Sequence, residues 1–255
     1  MGRETSQRDG VAPAFWILGR PGDAHGSDVR PVARVYPEEV PSGVRVESLL
    51  LEDDRFACAD PMLALETATG PTLYRAVPVE SGPGVEVRSV RVERVADDLS
   101  GVLRGFARRC AEAASGLHRR DKMDRDLGPY WTPPDAVKQY LLHPEPAMAQ
   151  SARLSLLKAD RPPVGARTDV IGAMRRACLL ACDTHLKGWV AASGCARQTS
   201  VCFIQADRFG EIGALSSVLS GMIDEVVGPS DGHIEPDTGG ESVQDVSTAG
   251  LEVSI

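Results

Sequence analysis

The chain has no run approaching the roughly 20 apolar residues that a membrane-spanning helix needs, and its N-terminus lacks the basic-then-apolar pattern of a secretory signal. Both absences point to a soluble protein that stays where it is made, in the cytoplasm. Lysine is nearly missing, with Lys122, Lys138, Lys158 and Lys187 standing against 24 arginines. Together with plentiful Ala, Gly, Val, Pro and Asp, this is the residue set that GC-rich codons favour, in a bacterial or a viral genome alike. Arginine richness therefore reflects codon usage before it reflects phosphate recognition. Cysteine is too sparse and too clustered for a disulfide framework: Cys58, Cys110, Cys178, Cys182, Cys195 and Cys202 read as thiols of a reducing compartment. Gly-rich phosphate loops, Gly-x-Ser-x-Gly elbows and His-Glu-x-x-His sites are also missing. That argues against an NTPase, a serine hydrolase of that type and a zincin. It leaves room for an enzyme whose acid and base groups are dispersed along the chain.

What the chain does have is segmented charge. Residues 1–96 carry 11 Lys/Arg against 15 Asp/Glu, residues 97–210 carry 17 against 12, and residues 211–255 carry none against 9, giving −8 for the 255 residues. An acidic strand-rich part, a basic helical middle and an acidic tail fit a protein that meets an anionic partner through one region while its tail repels or competes with that partner.

Hydrophobic periodicity divides the chain at the same places. After a flexible N-terminus (1–12), residues 13–96 read as an antiparallel β-sheet region with strands at 15–19, 29–36, 44–51, 72–80 and 85–95, separated by turn signals such as Arg20-Pro21-Gly22-Asp23 and Ser81-Gly82-Pro83-Gly84. In the last run the apolar parity changes near Ser89, which predicts a bulge there. Residues 97–228 take on helical periodicity. Helices are expected from Asp97 to about Arg120, at 135–142 and 146–159, from Thr168 to about Ala192, and from about Arg208 to Val227, with one further strand at 200–206. The fold class is α+β, strands first. Residues 229–255 hold six acids, no base and no aromatic residue, and predict a disordered acidic tail. Its last five residues, Leu251–Ile255, could serve as a short docking peptide.

Four constellations carry candidate chemistry. Cys178, Cys182 and His185 share a helix face at i, i+4 and i+7, and Cys195 could complete a zinc site; the same stripe includes Ile171, Met174 and Trp189, as a buried face should. Cys182 beside His185 makes a poor nucleophile–base pair, because Asp183 cannot orient the imidazole from the opposite face. The loop Arg119–Asp126 interleaves Asp121, Asp124 and Asp126 with bases and reads as a solvated, charge-paired segment rather than a cation site. Tyr130 and Trp131 in a proline-rich turn either lock helices together or offer a partner-docking platform. Met1-Gly2-Arg3-Glu4-Thr5-Ser6 fits the loose N-myristoylation pattern at Gly2, with a bulky Arg against it.

The leading expectation is a non-enzymatic structural, assembly or interaction protein. It would engage nucleic acid or a membrane surface through Arg104, Arg108, Arg109, Arg119, Arg120, Arg175 and Arg176, with no cofactor. Protein partners and a homo-oligomer are compatible with that role. An enzyme with a dispersed acid/base site and a zinc-stabilised regulatory module are the alternatives. A deep pocket of convergent ionisable groups would favour the enzyme.

Overall fold

The computed structural model describes residues 15–23, 28–39, 45–81, 87–117, 131–159 and 168–228. Six strands, β1 (Phe15–Gly19), β2 (Asp28–Glu39), β3 (Arg45–Leu51), β4 (Phe56–Cys58), β5 (Thr72–Ser81) and β6 (Val87–Ala96), lie in the N-terminal part. A short helix, α1 (Pro61–Glu66), interrupts them, and among the described residues six helices follow: α2 (Ser100–Ser115), α3 (Asp135–Leu142), α4 (Pro146–Lys158), α5 (Thr168–Lys187), α6 (Trp189–Gln205) and α7 (Phe209–Val227). The molecule is a mixed α+β protein. The Gly2 pattern, the loop 119–126, Tyr130 and the tail 229–255 fall outside the described residues.

Every strand pair is antiparallel, as expected, and the sheet goes further than expected by closing into a barrel in the order β1-β4-β3-β2-β6-β5, with β5 returning to β1. Closure follows from what the strands must bury. Their alternate positions turn Phe15, Ile17, Leu49, Leu51, Ala57, Tyr74, Ala76, Val90 and Val92 inward as one core cluster. Tyr74 satisfies its hydroxyl by donating to the Arg20 carbonyl at 2.6 Å. The ring is closed by β1, which pairs with β5 over five residues and with β4 at Trp16 opposite Cys58.

The irregularity expected at Ser89 is present, with one extra residue on each strand. Between the pairs Pro78–Val90 and Glu80–Ser89 the register slips past Val79, and the next step skips Arg88 on β6. Proline at 78 has no N–H to give the ladder, which localises the break. At one end of the barrel Asp53 receives Arg30 and Arg55, and Arg30 also donates to the Asp23 carbonyl at 2.6 Å. That network ties the turns after β1 and β3 to the start of β2.

Two elements escape the periodicity reading. β4 is three residues long, too short to show alternation. Helix α1 is six residues, yet its start is explicit: Asp60 accepts the N–H groups of Met62 and Leu63 at 2.8 and 3.0 Å, and Pro61 occupies the first turn. It packs on β1 and β4 and on α6 and α7, joining barrel to helices. From α6, Arg197 donates to the Glu66 carbonyl and Ser200 to the Glu66 carboxylate, both at 2.6 Å.

The strand expected at 200–206 is a correction: residues 200–205 continue α6, burying Ser200, Cys202 and Phe203 with helical spacing. The helix expected through Ala192 is corrected as well. The break falls at Gly188, whose φ of 54° and ψ of −131° suit glycine, while Ser193 and Gly194 sit inside α6. Gly194 leaves room for Leu180, whose methyl groups lie 3.3 and 3.4 Å from where a Cβ would stand. Helices α2, α5 and α6 thus form the centre of the second core, which reaches the barrel through Leu18 and Leu73.

Candidate functional site

Helix α5 places its apolar stripe, Ile171, Met174, Cys178 and Cys182, against α2 and α6, so the thiols enter the core. Trp189 lies across the Gly188 break and packs on the core from α6. All six cysteines are free and buried. Cys195 donates to the carbonyls of Ala107 and Ala177, both at 3.2 Å, tying α6 to α2 and α5. Burial pushes the thiols of Cys182 and Cys202 up to about 12 and raises those of Cys110, Cys178 and Cys195 as well. Each stays protonated at neutral pH. No group of three or more His, Cys, Asp or Glu able to hold a metal exists among the described residues, so Cys178, Cys182, His185 and Cys195 are not gathered as zinc ligands. The cause is directional: Cys178 and Cys195 turn into the α2–α5–α6 core, while Cys182 and His185 also line the α4–α5 cleft, a pair too small to hold a metal.

His185 faces a cleft between α4 and α5 of about 450 Å³, lined by Pro146, Ala147, Gln150, Arg153, Cys182 and Leu186 among others. Its ring meets Tyr140 edge-on at 5.9 Å and 70°. Its Nε2 is buried with no hydrogen-bond partner among the described residues, and desolvation, with the positive charge of Arg104 adding to it, holds the imidazole below its ordinary pKa. Asp183 does not orient it. That carboxylate is bound instead by Arg153 Nε and Lys187 Nζ, both at 2.8 Å, in a buried position. A protonated thiol and a neutral, unassisted imidazole make a binding surface rather than a nucleophilic pair.

The arginines divide by task. Arg175 donates to the carbonyls of Leu156 and Ala159 at 3.1 and 3.3 Å, closing the C-terminal end of α4, and Arg176 donates to Gln198 at 2.6 Å. On α2, Arg108 and Arg109 share Glu112 at 3.9 and 3.3 Å. Arg104 and Arg109 are exposed. Arg109 also lines a second cleft of about 380 Å³ whose opposite wall carries Lys138 of α3. Arg119 and Arg120 fall outside the described residues. Trp131 is 8% exposed and belongs to the helical core, so it locks helices together instead of offering a docking platform; its neighbour Tyr130 is not described.

Periodicity had no means of finding Arg153, Gln150 or Lys138. Arg153 finds Asp183 on another helix, and Gln150 and Lys138 line clefts shared with other helices; the signal that could have pointed to Arg153 was the unmatched carboxylate of Asp183 on α5. Comparison with protein-family models, with curated proteins and with solved structures finds no match for the chain. Among the described residues, no helix is long and apolar enough to cross a membrane.

Proposed function

We propose that the protein is a non-enzymatic interaction module that engages a phosphate-bearing polymer, a nucleic acid, through its basic helical middle. The observation that carries this reading is the basic wall around α2. That helix bears Arg104, Arg108 and Arg109 against the single acid Glu112, and the Arg109 side opens into a cleft that Glu112 also lines, with Lys138, paired to the exposed Asp135 at 2.7 Å, across from it. Cations from two helices around one hollow suit phosphates presented along a backbone. The buried, protonated thiols and the unassisted His185 support binding over catalysis.

The test is binding of a labelled oligonucleotide at two salt concentrations, with anionic vesicles as a separate arm. Affinity should fall steeply with salt, and Arg104→Ala, Arg109→Ala and Lys138→Ala should each lower the log–log slope by about 0.7–0.9 per lost contact. These three leave untouched the helix-closing bonds of Arg175. Absence of oligonucleotide binding at low salt rejects the reading; binding to vesicles alone replaces the nucleic acid with a lipid surface.

A further inference from the structure

The α4–α5 cleft contains polar groups that the fold leaves unused. Arg153 gives its Nε to Asp183 at 2.8 Å, while its Nη1 and Nη2 have no hydrogen-bond partner among the described residues. His185 Nε2 is likewise unpartnered and buried. Gln150, one turn before Arg153 on α4, is exposed beside them. The remaining wall is apolar: Pro146 and Ala147 face Leu186, which is 78% exposed. Leaving a leucine so exposed beside a hollow of about 450 Å³ loses burial that a ligand would restore.

We propose that this cleft binds a small monocarboxylate with an apolar tail, its head group on the Arg153 guanidinium and its hydrocarbon against Pro146, Ala147 and Leu186. The planar fork of two Nη groups matches the two oxygens of a carboxylate. Charge selects a monoanion. Of the residues lining the cleft Arg153 is the one cation, and behind it Lys187 is neutralised by its bond to Asp183. His185 lines the cleft without adding a charge to it, since its imidazole is held below the ordinary pKa. The site is separate from the α2 wall and does not depend on oligonucleotide binding.

The probes are butyrate, hexanoate, octanoate and the neutral analogue octanamide, titrated into the full chain and followed by calorimetry or by NMR shifts of His185. Affinity should tighten by up to about fourfold per added methylene, and octanamide should bind at least about tenfold more weakly than octanoate. Arg153→Gln should lose octanoate binding. Leu186→Ser, a surface change that leaves the core intact, should flatten the chain-length series while butyrate binding persists. If Arg153→Gln fails to fold, the Leu186→Ser series and the octanamide comparison decide the matter. The proposal is overturned if no carboxylate binds at millimolar concentration, if octanamide equals octanoate, or if Leu186→Ser leaves the series unchanged.

Discussion

Raising the pH should unfold this protein through its buried thiols. Free cysteine has an ordinary pKa of 9.0, whereas in the fold burial lifts Cys182 and Cys202 to about 12 and raises Cys110, Cys178 and Cys195 too. At pH of about 10 the unfolded chain has released these protons and the folded chain still holds them. The native state then binds more protons than the unfolded state, so stability falls as pH rises above 9.0. One pH unit is worth about 1.4 kcal/mol per thiol, and five thiols give about 7 kcal/mol. A typical domain has about 5–15 kcal/mol in total. Urea unfolding under reducing conditions, followed by far-ultraviolet circular dichroism, should show a midpoint about 2.3–3.5 M lower at pH of about 10 than at neutral pH, for a slope of about 2–3 kcal/mol/M. Tyr140, whose phenol burial also raises, pulls in the same direction. Cys195→Ser separates the two, because the hydroxyl can donate to the same Ala107 and Ala177 carbonyls but does not titrate there. Its alkaline loss should be about 1.4 kcal/mol smaller. An unchanged midpoint between neutral and alkaline pH, or thiols that react with an aqueous disulfide reagent in the native state at neutral pH, refutes the reasoning.

Gly188→Ala should cost about 1–3 kcal/mol in unfolding experiments, although nothing lies within 4 Å of the new Cβ; the penalty is in the backbone angles alone, and a neutral result means α5 and α6 can join by another turn. Asp53→Ala removes the carboxylate shared by Arg30 and Arg55, whose side chains are 21% and 14% exposed and which keep only the longer pairs to Asp28 and Asp23 and the Asp23 carbonyl; it should lower stability by about 1–2 kcal/mol, less at high salt, and a change below about 0.5 kcal/mol shows the network to be solvated. Removing residues 229–255 takes away six acids and moves net charge from −8 to −2, so oligonucleotide binding at low salt should strengthen. Unchanged affinity after this truncation means the tail does not screen the α2 wall.

Local pattern is readable wherever an element is long enough to repeat itself. α3 begins and ends at the residues its periodicity predicts, and α4 and α7 fall within one residue, because Asp135, Pro146 and Phe209 start them and His143-Pro144 and Gly228 end the runs. Barrel closure is a different kind of fact. Nothing in the alternation of Phe15–Gly19 says that it will pair with Thr72–Ala76, since pairing over that separation depends on how much the whole sheet must bury. Residues 200–206 were misread because Val201, Cys202, Phe203 and Ile204 form an apolar run that fits a strand or a buried helix equally well. The helix wins through burial of Cys202 and Phe203 against α2 and α5. At the candidate clefts, the spacing of Cys178, Cys182 and His185 was legible, but not that Cys182 and His185 would line a cleft while Cys178 turns into the core. Arg153 and Lys138 became visible when helices distant in sequence came together.

The seam where β1 meets β4 rests on one residue pair, Trp16 with Cys58, whereas β5 and β6 are laced along eight. A ring with one such short stitch should breathe there first. When the stitch lets go, β1 can swing on its five-residue pairing with β5 while the rest of the ring keeps its register. Backbone protons at residues 16 and 58 should therefore trade with solvent through small local openings, and those along β5 and β6 only when the whole barrel comes apart. The molecule carries a built-in order of loosening, fixed by the length of its shortest strand.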